Sequence, residues 1–312
     1  MSSFAILGEA LVDLRMVAGA EPKEKDHPAA RSYTAQPGGS PFNVAIGLAR
    51  LGHRAEFVGR LAQDALGGIL RRHAQQSGVS LELSGSWSGP TPAALFDLND
   101  DGSARYEFHL GNVSESLFAA SDADRIDPSA VAAVHFGSIA SWTTGSAGSV
   151  LEAVVRLRES GVFVSYDPNI RSMLISDKPE ARDRVEAAVR LSDLVKASVE
   201  DIEWLYPELG AVTVARRWLW AGASTVVVTL GSEGADCYTN GGKLHGSSAP
   251  VEVVDTVGAG DAFMAGLLDG LVGRGAREIT QPLLDAACAY AAATCAVPGA
   301  DPPWRSIPAR TA

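Results

Sequence analysis

Residues 162–206, VFVSYDPNIRSMLISDKPEARDRVEAAVRLSDLVKASVEDIEWLY, decide the fold. Val162–Asp167 is a short apolar, partly β-branched run and predicts a strand. Ala181–Leu191 places its apolar residues at helical spacing, Leu194–Lys196 returns to a short strand, and Val199–Tyr206 is helical again. Two strand–helix units in succession predict parallel strands joined by helical crossovers, with both faces of the sheet covered.

The same alternation extends outward. Upstream, Val131–Phe136 reads as a strand and Ala147–Glu159 as a helix; downstream, Thr225–Leu230 (TVVVTL) is an apolar strand, and Gly258–Leu271 and Leu283–Cys295 are helices. Near the N-terminus Phe4–Gly8 is a buried first strand, and Ala55–Val58 is another. Between them a helix runs up to Leu51-Gly52, with Ser40 suited to the N-cap, Pro41 to the first turn and Gly52 to the residue past the end. Leu66–Gln76 is an amphipathic helix that stops at Gly78. Residues 18–35 read as a polar loop, and Ala93–Asp97 with Ala104–His109 flank Asn99-Asp-Asp-Gly102 as a hairpin. No Gly/Ser/Pro linker divides the chain. The expectation is a single α/β domain over 1–312, three layers with a central, mostly parallel sheet between helices, and a small β appendage from about 10–35 and 90–112.

Composition narrows the function classes. The chain has 312 residues and a formal net charge of −11, with no Lys/Arg cluster of the kind a nucleic-acid binder presents. Acidity also disfavours an anionic membrane surface, and no apolar run is long enough to span a bilayer. With no signal-peptide pattern, the expected location is the cytoplasm. The three cysteines, Cys237, Cys288 and Cys295, form neither a CxxC motif nor a disulfide framework and read as small buried apolar residues.

Two stretches carry chemistry. The first is Val254-Asp-Thr-Val-Gly-Ala-Gly-Asp-Ala-Phe263, where a strand or loop runs through Gly258-Ala259-Gly260 into a helix. Backbone N–H groups at a helix N-terminus bind anions, and small residues admit a phosphate. Asp261 lies in the first turn beside that anion hole. A carboxylate there makes sense if it takes a proton from a nucleophile attacking phosphorus. Read locally, the stretch is equally a Gly-rich turn whose Asp complements the helix dipole. The second stretch is Gly38-Gly39-Ser40-Pro41-Phe42-Asn43-Val44-Ala45. Its Gly pair permits close backbone approach, and Asn43 at the helix start can bond two hydroxyls. Asp13, just past the first strand, adds an acceptor, and the set fits a polyol; read alone, Asp13 is a turn residue and Asn43 a surface residue. No GxxxxGK[ST], no GxGxxG after the first strand and no GxSxG is present.

Gly38–Gly52 (GGSPFNVAIGLARLG) and Asp255–Leu268 (DTVGAGDAFMAGLL) resemble, in order and separation, the two signatures of the ribokinase-like (PfkB) carbohydrate kinases, and the resemblance covers nearly the whole chain. It implies the ribokinase-like fold with the 90–110 hairpin in a lid, and an ATP-dependent transfer of phosphate to a primary sugar hydroxyl. It implies Asp261 as the base and the Gly258, Ala259 and Gly260 backbone as the anion hole. Asp13, Gly38, Gly39 and Asn43 match sugar-binding positions, Arg105 resembles a lid residue that reaches the sugar, and Arg171 of Asp167-Pro-Asn-Ile-Arg171 meets the transferred phosphate. Thr229, Gly231 and Gly234 of TLGSEG match the nucleotide-binding TxGxxG pattern, with Thr256, Lys196 and Ser198 also on the ATP side. One departure stands out: where many members carry NxxE, this chain has Ser198 and Asp201, so Asp201 is the candidate indirect partner of Mg²⁺. Relatives also bind K⁺ beside Asp255, and lid-mediated homodimers occur among them.

GEALVD near the N-terminus, DPNIR and KASVED lean toward fructokinase, forming fructose 6-phosphate. The rivals are 2-keto-3-deoxygluconate kinase, whose substrate carboxylate would want a cation such as Arg105, Arg31 or His109, and ribokinase or a nucleoside kinase, for which Tyr33, Tyr106 and Phe108 could supply a stacking surface. A non-catalytic sugar- or nucleotide-binding relative is the alternative from another class.

Overall fold

The structure, a computed structural model, describes residues 3–16, 32–98, 104–111, 117–276 and 278–305. The turn expected at Asn99–Gly102, most of the loop expected at 18–35, and Arg31 fall outside them.

An eight-stranded sheet runs, in spatial order, through Gly242–Gly246, Ala235–Thr239, Thr225–Thr229, Leu194–Ser198, Phe163–Asp167, Ala133–Gly137, Ser3–Leu7 and Arg54–Val58. Neighbours from Thr225–Thr229 to Arg54–Val58 are parallel, whereas the first two strands form an antiparallel hairpin on the edge. The strand period of two sorts apolar residues onto opposite faces. Ala5, Leu7, Val134, Phe136, Val164 and Tyr166 join one core, while Phe4, Ile6, Ala133, Leu194 and Val227 join the other. Helices Ala147–Glu159, Lys178–Arg190, Val199–Leu205 and Ala211–Ala221 contribute to the first core. Helices Ser40–Arg50, Ala65–Ser77, Ala259–Leu268 and Gln281–Cys295 contribute to the second. Three layers result, as the alternation of apolar strands and amphipathic helices predicts.

Beside this body lies a four-stranded sheet ordered Tyr33–Gly38, Leu11–Met16, Ala93–Leu98, Ala104–His109. Leu11–Met16 pairs antiparallel with Tyr33–Gly38 and parallel with Ala93–Leu98. Asp13 therefore stands within a strand rather than in a turn, and residues 33–35, expected in the loop, are strand. Pro37 is tolerated because its strand is an edge.

The strand order fixes where a ligand can go. From Ser3–Leu7 the chain proceeds to one neighbour, Arg54–Val58, and later strands build outward on the other side. Such a reversal opens a crevice at the carboxyl ends of the strands. Those ends carry Glu9, Ser138, Asn169, Ser198 and Thr229, and all five line one cleft of about 620 Å³.

Candidate active site

The helix Ser40–Arg50 begins differently from expectation. Gly39, with φ +101°, occupies the N-cap, and Ser40 is the first helical residue and makes no side-chain cap. A side chain at position 39 would meet the Glu9 carbonyl at 2.7 Å, so only glycine fits the crossing. Freed from capping, the Ser40 hydroxyl donates to Asp261 Oδ1 at 2.7 Å, and Asn43 Nδ2 donates to Asp261 Oδ2 at 2.8 Å. Asn169 Nδ2 approaches Oδ1 at 3.5 Å. Asp261, buried in the first turn of Ala259–Leu268, is thus held by the other signature helix and by the loop after Phe163–Asp167.

Gly258 caps that helix with φ +78°, and its Cα faces Ala300 so closely that an added Cβ would stand 2.4 Å from the Ala300 Cβ. Ala259 N–H turns back to the Thr256 carbonyl at 3.3 Å. A Cβ on Gly260 would lie 2.8 Å from Lys196 Nζ, which places the ammonium directly against the loop. Lys196 is paired with Asp167 Oδ2 at 2.8 Å, both almost fully buried. Burial pushes the Asp167 carboxyl up to about 6, with Lys196 opposing it. Burial also works against the Lys196 charge, but the carboxylates of Asp167, Asp201 and Asp261 reverse that and raise it. At neutral pH the pair is ionised, and a fixed positive charge sits beneath the amides.

Toward the small sheet, the cleft is lined by Asp13, Gly39, Asn43 and Arg171, with Leu11, Ala94 and Phe108 as an apolar roof. Burial pushes the Asp13 carboxyl up to about 6, opposed by Arg171 and Arg15. Gly38 does not line the cleft. It stands behind Asp13, where a Cβ would meet Asp13 Oδ2 at 2.4 Å, so its absence of a side chain makes room for the carboxylate. Arg105 lies on Ala104–His109 opposite Asp97, and its side chain, like that of Tyr106, is outside the described residues. His109 is exposed and pairs with Glu107 at 3.2 Å, and Tyr33 is exposed; neither lines the cleft. Arg171 Nη1 bonds the Asn169 carbonyl at 3.2 Å.

Glu9 escaped the sequence reading. It is buried at the crossing, its Oε1 accepting from Ile139 N at 3.3 Å and its Oε2 from Ala140 N at 3.0 Å, and burial raises its pKa. Ser138 and Asn169, with φ of 53° and 36°, are the non-glycine residues of positive φ among the described residues. Both stand in the cleft, where strained backbone concentrates when function requires it.

At the other end lie Thr229, Gly231, Gly234, Thr256 and Ser198. Gly231 and Gly234 have positive φ, and a Cβ on Gly234 would strike the Gly246 carbonyl at 2.0 Å. Cys288 and Ala291 of the last helix complete this end, and burial pushes the Cys288 thiol up to about 11, so it stays protonated. Ser198 and Asp201 form a reciprocal cap, Asp201 N to Ser198 Oγ at 3.0 Å and Ser198 N to Asp201 Oδ2 at 2.9 Å. Asp201 Oδ1 accepts from Ile170 N at 2.7 Å. Asp201 is thereby a positioning group for two loops, with the exposed Glu200 beside it on the cleft rim. Among the described residues no group of three His, Cys, Asp or Glu could hold a metal ion.

The pattern of the pfkB family carbohydrate kinases matches residues 1–307. The chain belongs to the PfkB family of carbohydrate kinases. The fructokinase of Rhizobium leguminosarum bv. trifolii is 35% identical over 241 residues, 77% of this chain and 73% of that one. The crystal structure of fructokinase with bound ATP from Xylella fastidiosa superposes with a TM-score of 0.83 at 26% identity, covering 96% of this chain and 94% of that one. A fructokinase double mutant from Vibrio cholerae O395, with fructose, ADP and potassium ion bound, gives a TM-score of 0.76 at 28% identity over 96% and 94% of the two chains. This PfkB kinase is accordingly an ATP-dependent carbohydrate kinase, and its three-layer architecture is that of its structural neighbours.

Proposed function

We propose that this kinase phosphorylates D-fructose on a primary hydroxyl, giving fructose 6-phosphate and ADP, with Asp261 as general base. The observation that carries the reading is the position of Asp261. Its carboxylate is clamped by Ser40 and Asn43 at the junction of the two ends of the cleft, next to the Gly258–Gly260 loop. A base must be within hydrogen-bond reach of the proton it takes and held in one orientation. Sugar occupies the end lined by Asp13, Gly39, Asn43 and Arg171, and ATP the end lined by Thr229, Gly231, Gly234 and Cys288.

Asp261 takes the hydroxyl proton as that oxygen attacks the γ-phosphorus. The amides of the first helical turn, the buried Lys196 ammonium and Arg171 stabilise the charge on the transferred group. The Asp167 pairing fixes the Lys196 ammonium against the loop before substrate arrives. The small sheet acts as a lid: Leu11, Ala94 and Phe108 present apolar surface over the sugar and exclude water, which would otherwise accept the phosphoryl group. Mg²⁺ fits the rim of the cleft. Glu200, and Asp201 through water, would hold it, since this ion keeps several waters and needs only one or two carboxylates. When bound it neutralises phosphate charge.

The fructose assignment leans on the fructokinase relatives and on the GEALVD, DPNIR and KASVED stretches. Coupled ADP release with Mg-ATP and a panel of fructose, 2-keto-3-deoxygluconate, ribose, tagatose and adenosine tests it. Fructose is expected to give the highest kcat/KM. A preference for 2-keto-3-deoxygluconate would overturn the substrate and point to Arg171 or Arg15 as the carboxylate partner, and turnover with none would favour a binding protein.

A further inference from the structure

Asp13 and Arg15 alternate along Leu11–Met16 and both line the cleft. Arg15 reaches out of the small sheet to the large body, where its Nη1 pairs with Asp255 Oδ2 at 2.9 Å. Asp255 opens the DTVGAGD stretch. Its Oδ1 accepts from Val257 N at 3.1 Å and its Oδ2 from Gly299 N at 2.9 Å, so it ties the anion loop to the loop before Ala300, against which Gly258 packs. The neighbouring strand of the small sheet touches the same place: a Cβ on Gly299 would stand 3.2 Å from Gln36 Oε1. Two strands of the lid therefore rest on the two loops that Asp255 joins. Buried to 8% exposure, the Asp255 carboxylate needs a compensating positive charge, and the guanidinium delivers it with two-thirds of its own side chain out of solvent.

The fructokinase from Vibrio cholerae holds a potassium ion, and the family resemblance places such an ion beside Asp255. Here that carboxylate already carries two backbone donors and a cation, and a second cation against Arg15 would be repelled. The residues do not fit an alkali ion at this carboxylate. We propose that Arg15 is a built-in replacement for a monovalent cation: a positioning residue that holds the Asp255 loop, and through it Gly258–Gly260, in working geometry without potassium. The inference rests on the kinase reading for turnover alone; its binding arm does not.

The test compares the wild-type chain with Arg15→Met at equal ionic strength in potassium, sodium or tetramethylammonium chloride, since screening is then the same in every buffer. Both the melting temperature and ADP release are measured. The wild type is expected to show the same melting temperature and kcat in all three salts. Arg15→Met is expected to lose about tenfold in kcat in tetramethylammonium, with little change in ATP KM, and to regain most of it in potassium alone. Its melting temperature should rise by about 2 °C in potassium over tetramethylammonium, whether or not any sugar turns over. Arg15→Lys, which keeps a charge, should behave as wild type, and Arg15→Gln serves if the methionine variant does not fold. Potassium-specific stabilisation or activation of the wild type overturns the proposal, as does an Arg15 variant that stays indifferent to potassium by both readouts.

Discussion

Replacing Gly258 by alanine tests whether the anion loop works by position. Gly258 has φ +78°, where an L side chain costs about 1–2 kcal/mol. Its new Cβ would also stand 2.4 Å from the Ala300 Cβ, and relief to ordinary contact at 3.4 Å requires a shift of about 1 Å. Overpacking of that kind costs about 1–3 kcal/mol. The total is about 2–5 kcal/mol. A chain of this size has an unfolding entropy of about 0.65 kcal/mol/K, so the melting temperature should fall by about 3–8 °C. The same 1 Å would move the amides away from the proposed phosphate position, and a misplacement of that size costs about 10²-fold in rate. Gly52→Ala is the internal control: φ is +88°, nothing among the described residues lies within 4 Å of the added Cβ, and the site is remote. It should lose about 1–2 kcal/mol, about 2–3 °C, with unchanged kcat. Scanning fluorimetry and coupled ADP release read both variants. If Gly258→Ala keeps kcat within about threefold of Gly52→Ala, the loop does not act through its geometry.

Two further outcomes follow from the electrostatics. With the Asp13 carboxyl at about 6, and the ionised form the stronger acceptor for the sugar hydroxyls proposed to bind there, the sugar KM should rise by up to about tenfold from pH 7 to pH 5, while Asp13→Asn gives a weak but flat KM over that range; a wild-type KM that does not move would remove Asp13 from the sugar site. Lys196→Met leaves the buried Asp167 without its cationic partner, with only the Asn169 N–H among the described residues still donating to it, and should cost about 3–5 kcal/mol, together with a raised ATP KM. Adding Asp167→Asn should restore most of the stability and none of the ATP affinity. A double variant with normal ATP KM would confine Lys196 to a structural role.

The layered fold was legible because parallel strands buried on both faces read as apolar runs, and the helices between them keep a helical period. The helix Ala211–Ala221 and the edge hairpin Ala235–Thr239 with Gly242–Gly246 went unread: Ala235–Thr239 is buried but short and interrupted by Asp236, and Gly242–Gly246 is mostly exposed and polar, so the pair does not separate from a loop. Asp261 and Asn43 stood out by local context. Their contact did not, because 218 residues separate them and the sheet topology brings them together. Ser40 shows the limit well. Its type fits an N-cap, but the positive φ at Gly39 moves the helix start back by one residue and turns the hydroxyl onto Asp261. The Lys196–Asp167 pair, Glu9 and the Arg15 strap are likewise tertiary: single charged residues in strands or turns, identified by what faces them.

The most direct measurement of the central claim is single-turnover and steady-state ADP release by Asp261→Asn, beside calorimetric binding of ATP and fructose to the same protein. Asparagine keeps the shape that Ser40 and Asn43 surround and removes the proton acceptor. With Asp261 as the base, kcat should fall by about 10²–10⁴-fold while both ligands bind within about threefold of wild type. Near-normal turnover by this variant, with binding intact, would contradict that role.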